Sequence, residues 1–460
     1  METLLDDLIC ISPVDGREYA RRPLAADAEI GRALAEARRA QREWAATPLD
    51  ERCATILRFL AAMGASNADI VTELAWQMGR PIRYGGEYRS LAERVLAMVD
   101  LAPAALAPFL GGPGGSVVRT PAGLVLVLAP WNYPFLTAAN TIVPALLAGN
   151  AVLLKHSAQT PLAGERFAEA FRVAGLPDGL FANLFLSHEQ TARLLGSALV
   201  QHCTFTGSVE GGRAVERAAA GSFTTLTLEL GGKDPAYVRE DADIPGAIEN
   251  LVDGSFYNGG QSCCGIERIY VHEAAWTPFV EGFAEAASQY RLGDPLDPKT
   301  GLGPMATAKG AASIREQVGQ AIEAGAIAHI GSQLYPGDSG DGPYLMPQVL
   351  TGVDHSMALM REETFGPVVG LMKVGGDEEA VRLMNDSAYG LTASIWTRDL
   401  DAAERLARRV EAGTVFANRC DYLDPFLAWT GVKDSGRGAS LGHYGFDSVT
   451  RPKSLHLRSP

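Results

Sequence analysis

Apolar residues recur at helical spacing through the first part of the chain. Residues 25–46 and 50–78 carry them with Arg and Glu between, so the first hundred residues are expected to be helical. Gly79-Arg80-Pro81 ends that run. From Leu124 the pattern changes. Short apolar runs at 124–129, 151–154, 203–205 and 225–230 alternate with helical patterns at 135–147, 162–174 and 209–219. All-apolar strands alternating with helices predict a parallel sheet covered on both faces, an α/β architecture of nucleotide-binding type. A second α/β run follows, with strands expected at 268–271, 326–330, 368–373, 392–396 and 414–417. The Gly- and Asp-rich stretch 335–344 predicts a surface loop, and the glycine-rich 111–115 followed by 116–120 predicts a projecting hairpin.

At 460 residues, with 47% of them hydrophobic, the chain can build two or three domains with large cores. Its net charge of −14 argues against nucleic acid as a partner, because phosphate binding needs a basic face. The six cysteines, Cys10, Cys53, Cys203, Cys263, Cys264 and Cys420, are scattered except for one adjacent pair. No CxxC or Cys/His spacing points to a metal, so none is expected, and the usage fits a reducing cytoplasm. The acidic start Met1 to Asp7 lacks the basic segment of a signal peptide. The apolar stretch 141–154 is interrupted by Pro144, Gly149 and Asn150 and is too short to span a membrane. A cytoplasmic protein without membrane partners is expected.

Two fragments carry the chemistry. Glu229 stands in Leu228-Glu229-Leu230-Gly231-Gly232-Lys233, and Cys263 stands 34 residues further on in Asn258-Gly259-Gly260-Gln261-Ser262-Cys263. Singly, each has an ordinary reading: a cysteine as a small buried hydrophobe, a glutamate as a strand end before a turn. Together, a thiol and a carboxylate base supply a nucleophile and a group to activate water, which suits catalysis through a thioester. Pro130-Trp131-Asn132-Tyr133-Pro134, Phe205-Thr206-Gly207-Ser208 and Glu362-Glu363-Thr364-Phe365-Gly366-Pro367 accompany them in order. This set resembles the aldehyde dehydrogenase superfamily, and the resemblance runs from about Pro121 to Lys453.

The resemblance implies a Rossmann-type parallel-sheet NAD(P)-binding domain (1–103 and 122–231), an α/β catalytic domain (232–434) and a β oligomerisation arm (104–121 and 435–460) that makes a homodimer or homotetramer. It selects Cys263 over Cys264 as nucleophile, and the glycines before it let the backbone approach closely. Asn132 is then the oxyanion donor, shared with the backbone N–H of Cys263, although Asn also serves as a helix cap. Losing one such donor typically costs about 3–4 kcal/mol. Glu229 activates the deacylating water, and its presence favours hydrolysis over transfer to coenzyme A. The cofactor is NAD or NADP. Its expected contacts are Ala129, Pro130, Trp131, Lys155, Ser157, Ala158, Leu230, Glu363 and Phe365, with Thr206, Gly207 and Ser208 opening a helix whose N-terminus holds pyrophosphate.

Two departures change the picture. The family's common Lys-Pro-Ser-Glu reads Lys155-His156-Ser157-Ala158, so the carboxylate that repels a 2′-phosphate is missing and NADP is expected to be accepted. His156 itself reads as a cap or surface residue. Leu186-Ser187-His188-Glu189 stands where the family has a Gly-rich turn near the adenine. Around the aldehyde the family geometry implies Tyr133, Thr137, Asn140, Tyr257, Asp421 and Trp429. Asn140 stands where succinate-semialdehyde members carry Arg, which disfavours a dicarboxylic semialdehyde unless Arg419 substitutes. Tyr133, Tyr257, Trp429 and Asp421 would suit an amine by cation–π contact, while a generic apolar tunnel is the plainer reading. Competing functions are a coenzyme A-acylating semialdehyde dehydrogenase, which Glu229 opposes, and a non-catalytic structural homologue of lens-crystallin type, which an intact Cys263 and Glu229 oppose.

Overall fold

The computed structural model describes residues 7–112 and 114–457. Residues 1–6 of the acidic start, Pro113 of the expected hairpin and residues 458–460 of the expected arm lie outside them. Two sheets organise the chain. The first has the order Gly436–Arg437, Thr225–Glu229, His202–Thr206, Leu124–Ala129, Ala151–His156, Phe181–Asn183. Its last five strands are parallel, and Gly436–Arg437 closes one edge antiparallel to Thr225–Glu229. All six residues of Leu124–Ala129 are buried, as expected for a strand with helices on both faces. The second sheet has the order Ile327–Ala328, Gln348–Thr351, Val368–Val374, Ile266–His272, Asp234–Val238, Thr392–Trp396, Thr414–Ala417, parallel except at the Ile327–Ala328 edge.

The α/β pattern from Leu124 onward is therefore present, with the strands and helices near their expected bounds. Helices Pro134–Leu147, Pro161–Val173 and Val209–Ala219 cover the first sheet. The start of the chain differs from expectation. It opens with an antiparallel hairpin, Asp7–Ile11 with Glu18–Pro23, before any helix. Leu8 and Cys10 point inward while Ile9 and Ile11 stay exposed, so alternation of period two, hidden in an almost wholly apolar run, decided the outcome. The single helix expected over 50–78 is two, Leu49–Ala65 and Asn67–Met78, divided at Ser66. Each buries its own stripe: Ile56, Phe59, Leu60 and Met63 in one, Ile70 and Leu74 in the other.

Phe109–Gly112, Gly115–Pro121 and Thr450–His456 form a separate three-stranded antiparallel sheet with the exposed Phe109 and Leu110 on it. Helix Tyr88–Leu106 runs past the boundary expected at 103/104. Likewise Gly436–Arg437, inside the stretch expected to belong to the arm, is an edge strand of the first sheet. Its approach is so close that a Cβ on Gly436 would strike the Leu228 carbonyl.

Helix Asn67–Met78 ends at Gly79 in the left-handed region, φ 79°. A Cβ there would also strike the Pro304 carbonyl oxygen, whereas Gly175, at φ 73° after helix Pro161–Val173, faces open space. Gly175→Ala should cost about 1–2 kcal/mol of strain. Gly79→Ala should add about 1–3 kcal/mol from the collision. Equal midpoint shifts in urea denaturation would show that the Pro304 contact contributes nothing.

Candidate active site

Strand Thr225–Glu229 ends the parallel part of the first sheet, and Asp234–Val238 begins in the second only a few residues later. The intervening Leu230-Gly231-Gly232-Lys233 passes from one sheet to the other. Leu230 is fixed by its N–H donating to Ser435 O (3.0 Å). Gly232 lies so close to the Cys263 carbonyl that a side chain would not fit. Lys233, fully buried, donates to Glu267 (2.5 Å) and Thr364 Oγ1 (2.8 Å). Glu267 in turn accepts from the amides of Thr364 (2.9 Å) and Phe365 (2.8 Å). One buried ion pair thus joins the three motifs that carry Glu229, Cys263 and Glu363.

Cys263 follows three consecutive residues at positive φ, Asn258 (54°), Gly259 (67°) and Gly260 (68°). Gly260 packs its backbone on the Gly366 carbonyl, where no Cβ fits. The Asn258 amide donates to Asn132 O (3.2 Å) and Gln261 O (3.3 Å). Buried Arg80 donates to Asn258 Oδ1 (3.1 Å) and Asn132 O (2.5 Å), and pairs with Glu87 (2.6 Å). Asn132 Nδ2 donates to Gln261 O (3.2 Å), which holds the side chain against the Cys263 loop. Asn132 is not a helix cap. Helix Pro134–Leu147 starts after Tyr133, and its first free amides, Phe135 and Leu136, donate to Glu87 (3.0 and 2.9 Å).

A cavity of about 520 Å³ opens beside these loops, and Cys263, Glu229, Thr206, Tyr133, Thr137, Asn140, Tyr257, Asp421 and Trp429 all line it. Cys263 is half-buried, while Glu229 is 5% exposed. Glu229 accepts from Thr206 Oγ1 (3.2 Å) and from the Ser440 hydroxyl. Burial raises its pKa, and those two hydroxyls and Arg94 pull against the rise. Asp421, at φ 47°, accepts from Ser262 Oγ (3.1 Å) and Cys264 Sγ (3.0 Å), and burial pushes it up to about 6. Cys264 is buried, and its contact with Cys263, burial and Asp421 hold its thiol well above the usual range.

Arg419, the cation considered for the substrate, is exposed and stacks on Tyr422, 3.2 Å from the ring centroid. The buried cation in the cavity wall is instead Arg94, which donates to Asn140 Oδ1 (2.9 Å), while Arg89 on the same wall is exposed. The expectation of a site without a cation near Asn140 is therefore corrected. The signal was an arginine on the apolar stripe of a helix, between Leu91, Val95 and Met98, all buried. Ser440 and the Lys233–Glu267 pair were also missed, since only the fold brings them to the motifs.

Most residues expected around a dinucleotide lie at the C-terminal ends of the first sheet's strands, and Glu363 and Phe365 come from the loop before second-sheet strand Val368–Val374. Ala129 ends Leu124–Ala129 and is followed by Pro130 and Trp131. Lys155 lies near the end of the next strand, Ala151–His156, followed by Ser157 and the exposed Ala158. Burial lowers the Lys155 pKa, and among the described residues its ammonium has no acceptor within bonding distance. Ser157 Oγ accepts from the Gln159 amide (3.3 Å). Ser208 caps helix Val209–Ala219, accepting from Gly211 N (3.1 Å), and the Phe205 ring lies where side chains at Gly207 and Gly211 would stand. Glu363 Oε1 accepts from Gly232 N (3.1 Å), and burial with Glu267 nearby pushes it up to about 8. The rings of Phe365 and Trp131 meet edge-on at 5.6 Å. His156 is buried rather than on the surface: it meets Pro134 O (3.2 Å) and Thr160 Oγ1 (3.3 Å), and burial lowers it to about 4. An orphaned lysine, a capped helix N-terminus and a carboxylate beside the Gly231-Gly232 crossing fit the phosphates and ribose of a dinucleotide.

A parallel-sheet fold with a thiol and a carboxylate on one cavity, and dinucleotide-compatible groups at its strand ends, fits a dinucleotide-dependent oxidoreductase. The chain belongs to the aldehyde dehydrogenase family, whose model matches residues 3–455. It is 36% identical over 437 residues to an aldehyde dehydrogenase of Paenarthrobacter nicotinovorans, covering 93% of this chain and 94% of that one. It is 33% identical to the succinate-semialdehyde dehydrogenase [NADP(+)] of Deinococcus radiodurans, over 96% of this chain and 93% of that one. The crystal structure of succinic semialdehyde dehydrogenase from Streptococcus pyogenes in complex with NADP+ superimposes with a TM-score of 0.91 at 26% identity, covering 98% of this chain and 100% of that one. Among the described residues no helix is long and apolar enough to cross a membrane.

Ser440→Ala removes one of the two hydroxyl donors that hold the Glu229 pKa down. The Glu229 carboxyl should then titrate at higher pH than in the wild type. Infrared difference spectra of the protonated carboxyl band, with Glu229→Gln as blank, measure this. An unshifted titration would mean that the Ser440 contact does not bear on the base.

Proposed function

We propose that this protein oxidises an aldehyde to the free carboxylic acid with NAD or NADP, through a thioester on Cys263 that Glu229-activated water hydrolyses. The observation that carries this reading is the placement of the Cys263 thiol and the Glu229 carboxylate on the walls of one cavity. The Cys263 thiolate adds to the aldehyde carbon, and the carbonyl electron pair moves onto oxygen. The second N–H of the Asn132 amide and the backbone N–H of Cys263 are the donors for that oxyanion. When bound, the nicotinamide ring supplies the acceptor for the hydride that leaves the thiohemiacetal carbon, and a thioester remains on sulfur. Glu229 then takes a proton from water, whose oxygen attacks the acyl carbon, and the carbon–sulfur bond breaks to release the thiolate. A base lifted by burial is better matched to this proton at neutral pH than an ordinary glutamate. A basic Glu229 beside the acyl sulfur favours hydrolysis over transfer to coenzyme A.

The same reading gives the first sheet the cofactor, the second sheet the Cys263 loop, and the three-stranded sheet with its exposed Phe109 and Leu110 the contact with a second copy, as a homodimer or homotetramer. Cys263→Ser should abolish oxidation and leave cofactor binding nearly intact. Glu229→Gln should slow steady turnover and keep a first-turnover burst of reduced cofactor. Stopped-flow absorbance with calorimetric cofactor titration separates the two. Full turnover by Cys263→Ser together with a dead Cys264→Ser would name the other sulfur.

NADP should be accepted substantially, because Ala158 cannot repel a 2′-phosphate and Lys155 with Ser157 can bond it. Hydrogen bonds to a charged group contribute about 1.5–3 kcal/mol each, so two shift preference by about tenfold or more. Ala158→Glu should restore NAD preference, read as kcat/KM for both cofactors. Wild-type discrimination against NADP as strong as the variant's would assign the choice to another group.

A further inference from the structure

Arg94 is a buried cation beside the reacting groups with no acidic side chain paired to it. It stands in helix Tyr88–Leu106, is 7% exposed, and lines the cavity that holds Cys263 and Glu229. Its Nη1 donates to Leu136 O (3.2 Å) and Asn140 Oδ1 (2.9 Å). Among the described residues no protein acceptor receives Nε or Nη2, and neither atom is sealed from the cavity. A guanidinium stays charged at any working pH, so leaving it buried and unpaired is costly.

Among the described residues no carboxylate on the cavity wall pairs with Arg94: exposed Glu93 pairs with Arg89 (3.5 Å), Asp253 makes no ion pair, and the other three are engaged with other donors. Glu87 holds Arg80 and the amides of Phe135 and Leu136. Asp421 holds Ser262 and Cys264. Glu229 holds Thr206 and Ser440. The Asn140 amide oxygen and the Leu136 carbonyl fix the guanidinium at Nη1. The edge left open is that of Nε and Nη2, whose two parallel N–H bonds match the two oxygens of a carboxylate.

We propose that Arg94 anchors a carboxylate at the far end of the substrate, so that the aldehydes this enzyme selects are ω-oxo acids. The assignment rests on the reading that the reacting carbon sits at Cys263. Asn140 then orients the anchor, and the positive charge comes from the neighbouring helix.

The test compares kcat/KM for short ω-oxo acids, alkanals of the same length and ω-amino aldehydes. The wild type should favour the oxo acid over the alkanal by about 100-fold or more, since a site built to bond a polar group can reject the analogue lacking it by up to about 10⁴–10⁵. Arg94→Gln should lower that ratio at least about tenfold, and Arg94→Lys, which keeps the charge and loses the fork, should fall between. A fall below about tenfold in Arg94→Gln overturns the assignment, as does a wild-type preference for alkanals or amino aldehydes. The wild-type protein gives a check that no variant's folding affects. A short dicarboxylate should compete with the alkanal more tightly than the monocarboxylate of equal length, and equal inhibition overturns the proposal. Alkanal oxidation that survives Cys263→Ser would instead overturn the Cys263 reading.

Discussion

The site depends on a backbone crossing with no room for side chains. Leu230-Gly231-Gly232-Lys233 leaves the first sheet and enters the second, and Gly232 passes against the Cys263 carbonyl. Gly260 makes the matching approach to Gly366 on the other side. These contacts set Glu229, at the end of a first-sheet strand, and Cys263, in the loop before a second-sheet strand, on the walls of one cavity. Lys233 and Glu267 secure the crossing from within. Breaking such a pair by removing one partner typically costs about 3–5 kcal/mol. Because Glu267 also holds the amides of Thr364 and Phe365, the loop carrying Glu363 is fixed by the same charge.

Around that crossing, burial sets the chemistry. Glu229 and Glu363 are both lifted by desolvation, yet only Glu229 is held by two hydroxyls inside the cavity. Arg94 acts on Glu229 in the opposite sense, holding its pKa down. A carboxylate raised by its surroundings is a stronger base than an ordinary glutamate, which suits a group that takes a proton from water. Asp421 shares the cavity wall, but its carboxylate is tied to the two side chains that flank Cys263 in sequence. That places it in support of the loop.

Much of this was legible in the chain because it is local. The apolar strands after Leu124 and the turn at Gly259-Gly260 are short-range patterns whose physical causes sit within a few residues, whereas Gly231-Gly232, expected as a turn, is a crossing between sheets that needs glycine for close packing. The hairpin at Asp7–Ile11 was not legible, since an unbroken apolar run does not show which alternate residues turn inward. Ser440 was not legible either. It lies 211 residues from Glu229, in a stretch whose sequence suggests only a tail. His156 read as a surface residue because its partner Pro134 O becomes a neighbour only when two parallel strands and their helices pack.

Arg94 shows why a motif comparison alone misreads the cavity. Considered one position at a time, Asn140 marks the loss of a cation. Considered as packing, Asn140 is the acceptor that holds a cation 46 residues away on the adjoining helix. The sequence did contain a sign of this, because an arginine among Leu91, Val95 and Met98 must either reach solvent along its stem or find a use inside. Here it stays inside, with the fork turned to a cavity that also holds the thiol. A side chain's type at one position fixes a charge, whereas the charge of a site is fixed by every helix that lines it.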